Sequence, residues 1–284
     1  MKYSLKLFFL LVLPIYLSAS DIKQTTFAYW NKPDVEIYYV TPEIIDENTN
    51  VIFVIHGNSR NAKDYLSEWI HYVKNKNVIV VAPQFKKADF RYFFLLEMAE
   101  SSGRVNKDEN KYINNSISLF FNYIKSKFSL NTQTYRMFGH SAGAQFTHRY
   151  MLLSKDYRIS NAVIANAGWY TFISNVSFPY GIKSSPIIIS DEHLSWFMSN
   201  KVSLLVGNKD LGSKNLNVSK GAKLQGVTRV DRANNYFNSL TKNAEIREYP
   251  LRWNFRVLDN IDHDFRKVTP YAAKILLRDI DDIN

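Results

Sequence analysis

The sequence predicts an α/β fold, a mostly parallel central sheet flanked by helices. Three observations carry that reading. Short runs rich in β-branched and aromatic residues, such as Val51-Ile52-Phe53-Val54-Ile55, are apolar throughout, as strands buried on both faces are. Between such runs lie segments of about 10 to 15 residues whose apolar positions recur every three or four residues. The chain has 284 residues and is 46% apolar, and no internal repeat or low-complexity linker divides it. That is enough for one large core.

The elements follow in order. Val35 to Val40 alternates as an early strand, and Val51 to Ile55 is the next, ending at His56-Gly57. Asn61 to Val73 reads as a helix with Tyr65, Trp69, Ile70 and Val73 on one side. Val78 to Ala82 is a buried strand stopped by Pro83. Asn114 to Phe128 is an amphipathic helix through Ile117, Phe120, Ile124 and Phe128. Tyr135 to Phe138 is a short strand that runs through Gly139 into a helix from Ser141 to Leu153. Asn161 to Ala165 and Val202 to Val206 are further strands, and Arg232 to Leu240 is a helix. Ala244 to Tyr249 or Phe255 to Leu258 supplies the last strand, and Pro270 to Leu277 the closing helix.

Composition narrows the chemistry. Without cysteine there are no disulfides, thiolate nucleophiles, iron–sulfur clusters or Cys-ligated zinc. No His-Glu-x-x-His spacing, P-loop or dinucleotide fingerprint is visible, so neither a metal nor a cofactor is expected. The formal net charge is +10, but the lysines are scattered rather than gathered in a basic stripe interleaved with aromatics. Nucleic acid is therefore not an expected partner.

Lys2 and Lys6 precede an apolar run from Leu7 to Leu17, then Ser18-Ala19-Ser20 and charged Asp21. This is the pattern of a secretory signal peptide spanning residues 1–20. The run is short for a bilayer span. The expectation is an exported protein, periplasmic or extracellular, whose residues 21–284 form a single domain with no membrane span after cleavage. Losing two lysines would take the net charge from +10 to +8.

Two aromatic-rich stretches break the strand–helix alternation. Gln84 to Asp108 holds Phe85, Phe90, Tyr92, Phe93 and Phe94, and Gly168 to Asn200 holds Trp169, Tyr170, Phe172, Phe178, Tyr180 and Trp196. Loop excursions from sheet ends commonly overhang a site. Phe93, Trp169, Tyr170 and Phe178 are the candidates for a substrate pocket; ordinary packing of the same rings is the competing account.

Gly139-His140-Ser141-Ala142-Gly143 lies between an expected strand and an expected helix. A chain turning that sharply pushes the serine into a strained position at the top of the sheet, and the flanking glycines keep side chains out of the neighbouring backbone. In this context Ser141 is a candidate nucleophile.

With these motifs the sequence resembles the α/β-hydrolase superfamily, and more narrowly its secreted esterase and polyhydroxyalkanoate-depolymerase-like members. The likeness runs from Val51 to Tyr271 and is specific only at its motifs. His56-Gly57-Asn58 matches the family's oxyanion turn and His140-Ser141-Ala142 its nucleophile elbow. Asn208-Lys209-Asp210 matches its acid loop and Asp262-His263-Asp264 the loop that carries its histidine. His56 to Ala62 also fits a His-Gly-x-x-Arg-Asn-Ala pattern, and Phe178 to Gly181 reads Phe-Pro-Tyr-Gly, as in some relatives. The resemblance implies an α/β-hydrolase fold with a catalytic triad of Ser141, Asp210 and His263.

The chemistry agrees. A serine hydroxyl needs a base to take its proton, and the base needs a carboxylate to hold its tautomer. Of the six histidines, His263 follows the last strand and is the expected base. His193, in the second excursion, is its rival; His56 suits a buttressing role, His140 is the variable residue of the elbow, and His71 and His148 lie in helices. Asp210, at a strand end, is the expected acid. Asp191 is a weaker rival, and Asp259, Asp262 and Asp264 stand too near His263 in sequence. The backbone amides of Asn58 and Ala142 are the oxyanion-hole candidates, while Arg60 and the stretch from Gln225 to Arg229 are read as loop braces.

The function expected is hydrolysis of a small-molecule or polymeric carboxylic ester, with short-acyl, aromatic and polyester substrates all open. A serine peptidase and an inactive hydrolase-fold binding protein are the alternatives.

Overall fold

The computed structural model describes residues 21–212 and 216–282, so the expected signal peptide lies outside the described residues. The strands are β1 (Lys23–Phe27), β2 (Val35–Val40), β3 (Asn50–Ile55), β4 (Val78–Gln84), β5 (Tyr135–His140), β6 (Ile159–Ala165), β7 (Phe172–Ser177), β8 (Gly181–Lys183), β9 (Val202–Gly207) and β10 (Trp253–Leu258). The helices are α1 (Ala62–Val73), α2 (Ser116–Phe128), α3 (Ala142–Leu153), α4 (Asp191–Ser199), α5 (Lys220–Lys223), α6 (Arg229–Arg247) and α7 (Phe265–Leu276).

Eight strands form one sheet in the order β1-β2-β4-β3-β5-β6-β9-β10. The six from β4 to β10 are mutually parallel, and β2 and β1 close one side antiparallel. This is the α/β-hydrolase architecture. The parallel strands are buried on both faces because helices cover both. One apolar layer joins α1 and α7 through Trp69, Leu66, Val268 and Ala272. The other joins α2, α3 and α6 through Phe120, Phe146 and Tyr236. Full burial of each such side chain contributes roughly 1.5–3 kcal/mol.

Three expectations are corrected. The strand at Val78 does not stop at Pro83 but continues to Gln84. Its ladder with β3 ends at the Phe53–Val81 pair, so the missing proline N–H sacrifices no bond on that side, and Pro83 simply faces Ile37 of β2. Of the two alternatives for the last strand, Phe255 to Leu258 belongs to β10 and Ala244 to Arg247 is helical. The helix there is longer than the apolar spacing suggests. A capping box between Thr228 and Asp231 starts it upstream, and left-handed Glu248 ends it. The second excursion also has its own structure: the β7–β8 ribbon and α4, capped by the Ser190 side chain.

All six parallel strands end at one edge, and the segments that follow them gather there. They bring Asn58, Ser141, Asn166, Asp210 and His263 to a single rim.

Candidate active site

Ser141 sits between β5 and α3 at φ 58° and ψ −118°, a conformation that costs a residue with a side chain about 1–3 kcal/mol. Packing enforces it. A Cβ on Gly139 would lie 2.3 Å from the Gly143 carbonyl oxygen, and one on Gly143 2.0 Å from that of Ile55. Only glycine on either side lets the elbow press onto β3. Ser141 N–H also donates to the Ala165 carbonyl (2.9 Å), which fixes the elbow to the end of β6.

His263 Nδ1 lies 2.6 Å from Asp210 Oδ2, and its Nε2 lies 2.9 Å from Ser141 Oγ. A carboxylate only accepts, so Nδ1 carries the proton and Nε2 is left to accept from the serine hydroxyl. Asp210 is almost wholly buried and has two further donors. Asn166 Nδ2 reaches Oδ2 at 2.8 Å, and the Arg229 guanidinium reaches Oδ1 at 2.9 Å. Asn166 also donates to the Asp262 carbonyl (3.1 Å), which ties the loop carrying His263 to the acid. Burial pulls the Arg229 pKa down, and Asp210 opposes that shift.

The remaining histidines separate by their partners. His56 Nδ1–H donates to the Gly57 carbonyl (2.8 Å) and Nε2 accepts from Phe85 N–H (3.0 Å). It is a buried neutral strut, its pKa lowered to about 3 chiefly by burial. His148 joins the Ala144 carbonyl to Thr171 N–H, so it anchors the second excursion to α3. His193, the rival base, donates to the Met151 carbonyl at 2.9 Å and packs on Trp196, away from Ser141. His140 is buried 4.9 Å from the His263 ring, with Nδ1 3.0 Å from Tyr65 Oη. Burial, then His263 and Arg229, hold its pKa well below the ordinary value.

The rival acids are engaged elsewhere. Asp191 pairs with Arg247, Asp259 accepts from Asn208, Asp262 pairs with Lys267, and Asp264 caps α7.

A cleft of about 630 Å³ opens over Ser141. Asn58, Ala142 and His263 line it, and so does Trp169. The turn before Asn58 lies against the elbow: a Cβ on Gly57 would stand 3.6 Å from that of Ser141. The other three aromatic candidates are not brought to the cleft. Phe93 is buried against His56 and Phe85, Tyr170 stacks on Tyr236, and Phe178 is buried in the core. Tyr92, Phe94 and Phe265 line it instead. In the short helical turn Phe93–Leu95 the side-chain direction rotates at each residue, so Phe93 faces the core and its two neighbours the cleft.

Sequence reasoning did not single out Asn166 or Tyr65, and it read Arg229 only as a brace. Asn166 carried one usable signal, a polar residue immediately after a buried strand. Arg229 carried none, because its partner is 19 residues away in sequence.

Among the described residues no helix is long and apolar enough to cross a membrane. No protein-family model matches the chain, and no curated protein does. Solved structures do. Poly(aspartic acid) hydrolase-1 from Sphingomonas sp. KT-1 is 30% identical over 90% of this chain and 98% of that one, with a TM-score of 0.82. LpqC, a poly(3-hydroxybutyrate) depolymerase from Bordetella parapertussis, is 24% identical over 91% and 90%, with a TM-score of 0.79. The serine hydrolase FphF from Staphylococcus aureus shares the fold at 14% identity over 91% and 99%, with a TM-score of 0.57. Fold and likeness together define a hydrolase. More particularly, the chain belongs to the α/β-hydrolase superfamily, alongside poly(aspartic acid) hydrolase-1.

Proposed function

We propose that this protein is a serine hydrolase that cleaves carboxylic esters through an acyl-enzyme. One observation carries the reading: the hydrogen-bond chain from Ser141 through His263 to Asp210, at 2.9 and 2.6 Å, opens on a cleft large enough for an ester. Ser141 Oγ attacks the carbonyl carbon while its proton passes to His263 Nε2. The oxyanion accepts hydrogen bonds from the backbone N–H groups of Asn58 and Ala142. Collapse breaks the bond to the alkoxide, which leaves with the proton from His263. Water then repeats both steps on the acyl-enzyme and frees the acid.

We further propose that residues 1–20 are a cleaved export signal, that residues 21–284 work as one domain, and that the protein acts in the periplasm or outside the cell. The leader's charged start, apolar run and small-residue end support this. Amide cleavage is the second reading, because the 30% identical relative is named for poly(aspartic acid), a polyamide.

The test is Ser141→Ala beside wild type on p-nitrophenyl esters, a polyester film and peptides, with fluorophosphonate labelling. Turnover should vanish in the variant, and the label should appear on the tryptic peptide holding Ser141. Wild-type rates in a pure S141A preparation would end the serine mechanism.

A further inference from the structure

In the proposed reaction the oxyanion has to meet two amides that come from separate segments. The Asn58 amide lies in the turn after β3, while the Ala142 amide opens α3, one residue after the attacking serine. Donors aimed at developing charge are effective only when held close to their productive geometry, within roughly 0.5 Å. Something has to fix one segment against the other. A side chain from a third element, Tyr65 near the start of α1, reaches both.

Tyr65 Oη lies 3.0 Å from Nδ1 of His140, the residue immediately before Ser141. The backbone amide of Gly57, immediately before Asn58, acts on the same oxygen as a hydrogen-bond donor and opposes the rise in its pKa that burial causes. The approach is so close that a Cβ on Gly57 would stand 2.8 Å from Oη. An amide N–H can only donate, so the hydroxyl proton is left for His140 Nδ1, which a neutral imidazole offers as an acceptor. His140 is neutral because burial holds its pKa well below the ordinary value. The bridge therefore runs from the oxyanion turn through one hydroxyl to the nucleophile elbow.

The hydroxyl is itself held in place. Tyr65 is 4% exposed, and its ring stacks on Phe265 with centres 3.9 Å apart and planes 9° apart. Phe265 stands two residues after His263, so the loop that carries the base packs on the ring that carries the hydroxyl. Tyr65 thus meets all three segments that the reaction needs. It lines the cleft, but its hydroxyl is taken up by these two partners, so it acts through the turn rather than on the substrate. Phenylalanine would fill the same space and stack in the same way; only the bridge requires the oxygen.

We infer that Tyr65 is a positioning residue for the oxyanion hole: its hydroxyl joins Gly57 to His140 and so fixes the Asn58 amide relative to Ser141 and the Ala142 amide. This rests on the serine-hydrolase reading and adds to it a residue that does not touch the reacting atoms.

The experiment compares Y65F with wild type and with V73A. Y65F removes one oxygen and keeps the ring. V73A trims a buried side chain about two turns further along α1, away from the cleft lining. On 4-nitrophenyl butyrate, Y65F should lose about 10- to 100-fold in kcat with KM within about threefold of wild type. A trifluoromethyl ketone adds to Ser141 and places an oxyanion between the same donors, so it should bind Y65F more weakly by the factor lost in kcat/KM. Amide hydrogen exchange at Gly57 and Asn58, followed by NMR, should be faster in Y65F by about 10-fold or more. V73A should melt below wild type and keep its kcat, its inhibition and its exchange at these two amides. A wild-type kcat in Y65F would overturn the inference, and so would a fall in kcat without faster exchange. An equal fall in V73A would assign the effect to a loosened helix and overturn it too. If wild type turns over no ester and takes no fluorophosphonate, the hydrolase reading fails instead, and exchange alone decides whether Tyr65 fixes the turn. Faster exchange confined to Y65F supports the bridge; equal exchange in all three proteins overturns it.

Discussion

Asp210 and Arg149 are both buried almost completely, within reach of the same cleft, yet the protein treats their charges in opposite ways. Asp210 receives an imidazole, an amide and a guanidinium from three separate segments. Arg149 receives two carbonyls, a hydroxyl and the face of Trp169, none of them anionic. Around Asp210 the charge is balanced locally, and what remains is orientation: the carboxylate can hold His263 in only one pose. Around Arg149 the hydrogen bonds are nearly complete but the charge is not balanced, and what remains is field. Counting hydrogen bonds alone would have made the two sites look alike.

The largest test removes the balanced charge. Asp210→Asn should lower kcat about 10³- to 10⁴-fold, because the amide no longer enforces the tautomer of His263. It also takes the carboxylate from Arg229, and R229M takes the guanidinium from Asp210, so each single change breaks the buried pair and should cost about 3–5 kcal/mol of stability by urea denaturation. The double variant D210N/R229M should regain most of that stability and none of the activity. Recovery of both together would mean that Asp210 serves the fold alone.

Trp169 joins the two functions, since it is buried and also lines the cleft. W169A should cost about 3 kcal/mol or more through the lost ring and its contact with the Arg149 guanidinium. Melting temperature and the C2 to C8 ester profile should both change. A lower melting temperature with an unchanged profile would assign the ring to the core alone.

The histidine struts extend the comparison to groups kept uncharged. Because His56 is depressed to about 3 in the folded state, the unfolded chain binds the proton more readily below its ordinary value of 6.5. The stability that His56 contributes is complete above pH 6.5 and is lost as pH falls towards about 3. Between pH 7.5 and 5.0 the loss should be about 2 kcal/mol, and H56Q should show that much less pH dependence in denaturation midpoints. An unchanged pH dependence would mean that the His56 ring takes up its proton in place.

The smallest expected effect is also the most diagnostic. R149M strands no counter-ion, so it should cost only about 1–2 kcal/mol, chiefly for the carbonyls left unpaired. A loss as large as that of R229M would show that Arg149 has an anionic partner and would break the contrast.

The sequence made the architecture legible because parallel strands covered on both faces are uninterrupted apolar runs, as at Val51 to Ile55, and the helices between them keep a clear period. The elbow was legible because Gly139 and Gly143 meet a local steric demand. His263 and Asp210 could be chosen by their positions after strands, and the geometry places His263 against Ser141 and Asp210 against the far side of His263. Other features depend on contacts that no local pattern records. Phe93 and Phe94 are equivalent as letters and differ only in which way one turn of backbone points them. Asn166 and Arg229 reach Asp210 across 44 and 19 residues. From Ala244 to Arg247 apolar and charged residues alternate as in a strand, but the stretch continues a helix already nucleated at Thr228, and extending a helix is easier than starting a new element.

Ser141 and His263 are 122 residues apart, and the strand that delivers His263 is the outermost of the parallel set. A chain that extends only as far as α6 contains Ser141 but lacks the imidazole that hydrogen-bonds it. Under the proposed mechanism its hydroxyl has no base until β10 has added to the sheet edge and the segment after it has brought His263. Completion of the sheet and completion of the proposed site are therefore the same step.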